Sequence, residues 1–293
     1  MTTPWITAIG EVLWDMLPAG RQLGGAPANF AAHAKGLGAD AALVSRVGND
    51  ALGREIRERL MRRGLVTLPI QKDAVAPTGT VDVDVDAAGQ PHYTIREDAA
   101  WDRLEVDDHA RASVASSSAV CFGSLGQRSP AARAAIQSLI AGARPETLRV
   151  FDVNLRSPFW TPEVVEQSLA LANALKLNDQ ELPILAGLFG IVGDDRERLH
   201  GLAIRSNLRL VALTRGAHGS LLLADGKWSE HPGVPVVVKD AVGAGDAFTA
   251  ALVMGYLRGH DLDAINDHAN RVAAYVCTQP GATPELPAAL VKG

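Results

Sequence analysis

Cysteine is scarce: Cys121 and Cys277 are the only two in 293 residues, far apart and each set among apolar neighbours. Disulfide frameworks and zinc knuckles need several cysteines at short spacing, so both are excluded, and two buried thiols are predicted. An excess of basic charge is lacking too. With 28 Lys and Arg against 33 Asp and Glu, the formal charge is -5, and the footprint of a protein that grips nucleic acid or anionic lipid is missing. The densest charge run, Gly53 to Arg63, interleaves its signs, with Glu55 and Arg59, then Glu58 and Arg62, four residues apart; this is the pattern of a solvated helix face. No apolar stretch reaches membrane-spanning length. The N-terminal "MTTPWITAIGEVLWDML" has no basic region and carries Glu11 and Asp15 where a signal peptide would be apolar. A cytoplasmic chain with neither nucleic acid nor membrane as partner is expected. Two phosphate fingerprints are also absent, Gly-x-x-x-x-Gly-Lys-Ser/Thr and a Gly-x-Gly-x-x-Gly after the first strand, which argues against P-loop enzymes and nicotinamide-dependent oxidoreductases.

Present instead is a composition of 47% hydrophobic and 21% charged residues, enough for a large core. Short apolar runs alternate with helical patterns. "WITAIG", "AALVSRVG", "SAVCFGSL", "LRVFDVNL", "NALKLN" and "LRLVALT" read as strands buried on both faces, separated by stretches of helical period. An α/β fold with a mostly parallel central sheet follows. In such sheets ligands bind beyond the carboxyl ends of the strands, so residues there are the candidates for chemistry. One segment departs from the pattern: "TGTVDVDVDAAGQPHYTI" alternates with period two around a Gly-containing turn. It predicts a small β lid inserted at about 67–100, with further lid strand residues near 11–23, in one domain spanning 1–293. Its acids Asp82, Asp84 and Asp86 do not make a calcium loop, because Ala87 and Tyr93 stand where Gly and Glu are required.

The stretch "DAVGAGDAF" follows the strand-like "VPVVVKD" and opens the apolar helix "DAFTAALVMGYLRG". Its glycines leave several N–H groups bare at a helix start, an anion site suited to phosphate. Asp246 would repel a phosphate there. It serves either as a helix cap or as a base that takes a proton from a nucleophilic hydroxyl. Near the N-terminus, "GGAPANFAAHAKG" opens a second helix with Gly24 and Gly25 and sets Asn29 in its first turns. With Asp15, just past the first strand, Asn29 could grip a polyhydroxylated ligand, or the stretch could be an ordinary turn and helix.

These two stretches, together with "FDVNLR", "LKLNDQEL", "TRGAHGS" and "ANRVAAYVCTQPGA" in that order, resemble the signatures of the ribokinase-like (PfkB) carbohydrate kinases. The resemblance runs from about Ile6 to Gly281. It implies a three-layer α/β/α fold and an ATP-dependent sugar kinase, with ATP, Mg²⁺ and a sugar as ligands. Asp246 becomes the catalytic base, and the N–H groups of Gly243, Ala244 and Gly245 face the developing charge. Asp15, Gly24, Gly25 and Asn29 match sugar contacts, and Arg96 either reaches the sugar from the lid or faces solvent. Asn178 and Glu181 match the Asn-x-x-Glu element that organises Mg²⁺ through water; by themselves they also fit a capping box. Thr214, Gly216 and Gly219 match the nucleotide-facing turn, Asn270 the adenine pocket, and Arg156 a phosphate clamp. Asp240 with the Val242 backbone falls where the family holds a monovalent cation such as K⁺, although Ala241 stands where Thr is common. "GGAPANFA", "REDAAWD" and "FGSLGQRS" lean towards fructose as acceptor, with ribose and 2-keto-3-deoxygluconate as alternatives. A catalytically silent sugar- or nucleoside-binding protein is the competing class. Trp101 and the apolar lid residues Val81, Val83 and Val85 either seal the site or pack against a second lid in a homodimer.

Overall fold

The structure is a computed structural model and describes residues 3–18, 20–85 and 91–291. Thirteen strands among these residues form two sheets. In chain order they are β1 (Trp5–Ile9), β2 (Leu13–Leu17), β3 (Gly20–Gly24), β4 (Asp40–Gly48), β5 (Ile70–Asp73), β6 (Gly79–Val85), β7 (Pro91–Ile95), β8 (Ala119–Gly123), β9 (Leu148–Asp152), β10 (Ala174–Asn178), β11 (Leu210–Thr214), β12 (Ser220–Ala224) and β13 (Lys227–His231). The central sheet runs β13-β12-β11-β10-β9-β8-β1-β4-β5. It is parallel from β5 to β11 and antiparallel at β12 and β13.

The parallel strands are apolar almost throughout because helices cover both faces. One core packs the helices Ala26–Gly36, Ala244–Leu257 and Leu262–Cys277 on one side of the sheet. A second packs Asp108–Ser116, Pro130–Ala141, Pro162–Leu171, Glu181–Leu188 and Asp195–Arg205 on the other. The result is three layers. The edge hairpin β12–β13 turns on Asp225 and Gly226, both at positive φ (47° and 75°), the Asp-Gly signature of a tight type I′ turn.

The small sheet has the order β3-β2-β6-β7. It recruits the early segment near 11–23 as well as the later insertion, and β2 meets β6 in parallel while the two hairpins are antiparallel. Its insertion is shorter than the 67–100 window. Ile70–Asp73 belongs to the central sheet beside β4, because Ile70 is buried and the Asp73 carboxylate turns the chain, accepting from the Val75 and Ala76 amides and pairing with Arg46. The turn at 86–90 and the side chains of Val83 and Val85 lie outside the described residues. Trp101 packs against Ile95 of the small sheet. It is buried at the base of the small sheet, under the Arg128 guanidinium 3.9 Å from its ring centroid.

Two further expectations need correction. "VPVVVKD" forms no strand: Pro235 lacks a donor, Val237 and Val238 are 87% and 60% exposed, and the segment is pinned only at its end, where the Lys239 amide donates to the Cys277 carbonyl. Cys121 is buried as predicted, but Cys277, on the last turn of its helix, is partly exposed.

Candidate active site

The carboxyl ends of the parallel strands converge on one edge, and strand register sets which side chains meet there. Asp152 of β9 lies opposite Gly123 of β8 and Lys176 of β10, and Asn178 ends level with Thr214 of β11. Lys176 and Asp152 form a buried ion pair at 3.0 Å. The other Asp152 oxygen accepts from the Thr249 hydroxyl at 2.8 Å, and that hydroxyl also reaches the Gly245 carbonyl at 2.9 Å. This network seats the first turn of the helix Ala244–Leu257 on the sheet.

That first turn begins at the glycine-rich stretch where an anion site is expected. Gly243 caps the helix at φ 80°, with no side chain bonded to the cap. A Cβ there would collide with the Ala282 carbonyl, and one on Gly245 would lie 3.2 Å from the Lys176 Nζ. The Ala244 amide donates to the Ala241 carbonyl at 3.3 Å; the other first-turn amides have no intrahelical acceptor and lie at a helix N-terminus beside a buried ammonium, which is favourable ground for an anion.

Asp246 is not the cap. Its Oδ2 accepts from the Asn29 side-chain amide at 2.9 Å, across 217 positions of sequence. Burial pushes its carboxyl up to about 7, reinforced by the Asp152 charge, while Asn29, Lys176 and Arg156 pull it down. The helix that supplies Asn29 starts at Gly25, where φ is 106° and a Cβ would lie 2.6 Å from the Glu11 carbonyl, so only glycine fits. Gly24 is bare for another reason: a Cβ would occupy the place of the Asp15 carboxyl. Burial also lifts Asp15, to about 6. Asp15, Gly24, Gly25, Asn29 and Asp246 thus form one continuous wall. The space behind it, against Phe30, Cys121 and Asp152, holds only about 10 Å³, room for one water at most.

On the other flank, Asn178 and Glu181 form a reciprocal cap. The Asn178 Oδ1 accepts from the Gln180 and Glu181 amides, and Glu181 accepts from Asn178 and Leu155, all at 2.9 Å. Burial raises the Glu181 carboxyl, opposed by Lys176. Each of its oxygens keeps one lone pair, enough to hold a metal-bound water. Thr214 lies beside this cap, followed by Gly216 and Gly219 at φ 55° and 76°. Nothing stands within 4 Å of a Cβ on Gly216, so that backbone is open to a ligand.

Other expected residues sit differently. Asn270 is buried, its amide donating to Ser220 and Asn266. Arg96 is 65% exposed and pairs with Asp82 at 2.6 Å on the small sheet. Arg156 is exposed, its guanidinium bonded only to its neighbour's carbonyl. Both Asp240 oxygens accept amides, from Val242 and Gly281 at 3.0 Å. Among the described residues no cluster of metal-ligating side chains occurs and no helix is long and apolar enough to cross a membrane.

Residues 19–289 match the sequence profile of the pfkB family carbohydrate kinases. The chain belongs to that family. A pfkB carbohydrate kinase is a phosphotransferase with a sugar acceptor, and the similar proteins agree with this. A fructokinase of Klebsiella pneumoniae is 33% identical over 85% of this chain and 83% of its own. The solved structure of an uncharacterized sugar kinase of Pyrococcus horikoshii is 31% identical, covers 95% and 93% of the two chains and superposes with a TM-score of 0.84. The fructokinase of Vibrio cholerae O395, solved with fructose, ADP and calcium, is 26% identical over 97% of each chain, with a TM-score of 0.81.

Three residues packed among the candidate site residues escape a reading of motifs. Lys176 is the one charge in the apolar run "NALKLN", and that isolation was the available signal. Thr249 lies in an apolar helix with no signal of its own. Glu11, 2% exposed beside the double-glycine turn, is visible only once β1 and the helix Ala26–Gly36 are placed together.

Proposed function

We propose that this chain transfers the γ-phosphate of ATP to a hydroxymethyl group of a sugar, with fructose as the leading acceptor. The observation that carries the reading is Asp246: a carboxyl beside an anion nest, not capping its helix, held by Asn29 and poised near neutral pH. A base tuned to the working pH is the most effective one. Asp246 takes the proton from the hydroxymethyl oxygen, that oxygen attacks the γ-phosphorus, and ADP leaves with the bridging electron pair. The amides of Gly243, Ala244 and Gly245 stabilise the charge on the moving phosphoryl group, and Lys176 supports them from below.

Asp15, Gly24, Gly25 and Asn29 hold the sugar hydroxyls, and Arg96 joins them from the small sheet when it releases Asp82. Asn178, Thr214, Gly216, Gly219 and Arg156 face the nucleotide, with Asn270 shaping the wall behind it. Glu181 would hold Mg²⁺ through water, and the ion would supply neutralisation of phosphate charge there. Asp240 and the Val242 carbonyl are the groups a monovalent cation would use. The chain works as one unit in which the small sheet is the lid. Its apolar face of Leu13, Leu17, Val81 and Ile95 closes over the sugar or meets a second copy.

ADP release measured with fructose, ribose and 2-keto-3-deoxygluconate tests the reading. Fructose should stimulate turnover most, and Asp246→Asn should lower it by about 10²–10⁴-fold. Sugar binding without turnover in the wild type would show a silent binding protein instead.

A further inference from the structure

Glu11 is a further buried acid at the site, in addition to Asp152 and Glu181, and nothing in the proposed chemistry uses it. It follows β1 directly, and its carboxyl lies against the Ala26 amide at the start of the helix that presents Asn29. Its Oε2 is buried and has no hydrogen-bond partner among the described residues. That oxygen lies alongside the turn after β8, at 3.4 Å from where a Cβ on Gly126 would be, a position closed on its other sides by Gly10 and Ile136. Beyond this turn is the segment after β9: β1, β8 and β9 are neighbours in the sheet, and the Ser124 hydroxyl donates to the Asn154 carbonyl to tie the two turns together. Arg156 ends that segment. Its guanidinium donates only to the Leu155 carbonyl among the described residues; burial lifts the Glu11 carboxyl to about 7, and the Arg156 charge acts against that rise in Glu11 as it does in Asp246. A buried carboxylate oxygen without a partner is costly. A guanidinium fork is the group that would satisfy it while presenting its other edge to phosphate.

We propose that Glu11 is a positioning residue for Arg156, accepting its guanidinium through the orphan Oε2 and aiming the remaining N–H groups at the nucleotide phosphates. This rests on the reading of Arg156 as a nucleotide contact. Calorimetric titration of MgATP into the full chain tests it on the wild type, Glu11→Gln, Arg156→Gln and the double variant. Each single variant should bind about tenfold more weakly, as coupled neighbours do. The double variant should bind no more weakly than Arg156→Gln, because Glu11 acts only through that arginine. Glu11→Asp, which keeps the charge, should recover part of the affinity, with thermal melts confirming that the variants fold. Wild-type affinity in Glu11→Gln, losses that multiply in the double variant, or Glu11→Asp as weak as Glu11→Gln would overturn the inference and leave the kinase reading standing. A wild type that does not bind MgATP would instead remove the kinase reading itself.

Discussion

Replacing Asn29 with Ala should move the pH dependence of the reaction in a direction and by an amount the structure fixes. Asn29 donates to the Asp246 carboxyl at 2.9 Å and stabilises its charged form. A hydrogen bond to a charged group contributes about 1.5–3 kcal/mol, or about one to two pH units at ~1.36 kcal/mol per unit. Water entering the vacated space will replace part of it, so a shift of about one unit is expected. The base must be ionised to accept a proton, so activity falls on the acid side with a limb near the Asp246 pKa of about 7. In Asn29→Ala the limb should lie about one unit higher. Because Asn29 is also proposed to hold the sugar, the limb should be read on kcat at saturating sugar as well as on kcat/KM. A limb that stays in place on kcat would refute the assignment of Asp246 as the titrating base.

Asp246→Asn should lower kcat by about 10²–10⁴-fold, the usual contribution of a positioned base. It should also stabilise the fold at high pH. The native carboxyl binds its proton up to about 7, against 3.8 for its ordinary value, so between those pH values the folded chain holds more protons and loses stability as pH rises. Chemical denaturation should show Asp246→Asn gaining about 1–2 kcal/mol over wild type at pH 8, with the difference vanishing near pH 4. Lys176→Met should cost about 3–5 kcal/mol of stability by leaving Asp152 buried and unpaired, and Asp152→Asn in the same chain should restore part of it. Gly24→Ala and Gly243→Ala should behave differently. The first displaces side chains alone, the Asp15 carboxyl and to a smaller extent a Leu13 methyl, so KM for sugar should rise about tenfold with little change in melting temperature. The second forces a left-handed residue against the Ala282 backbone, so both activity and at least ~1–2 kcal/mol of stability should be lost.

The local pattern of the chain determined a good deal. The apolar runs of β1, β4 and β8 to β11 needed only their own composition to be read as buried parallel strands, because a strand covered on both faces has no polar side to show. Gly25 and Gly243 announced tight helix starts, since a positive φ is a property of one residue. The paired glycine-rich stretches sufficed for the family. Tertiary structure decided the rest. "VPVVVKD" has the composition of a strand, yet it gained no neighbour, and a strand exists only when another backbone accepts its hydrogen bonds. β2 and β3 joined β6 and β7 in the small sheet for the same reason, through a parallel pairing that no local pattern encodes. That Asp246 leaves its helix uncapped and binds the Asn29 amide, 217 positions away, was equally a matter of packing. The roles of Lys176 and Glu11 likewise depend on charges that only the packing of strand ends brings together. A titratable group takes its character from the burial and partners that folding supplies, and neither is written in the residues beside it.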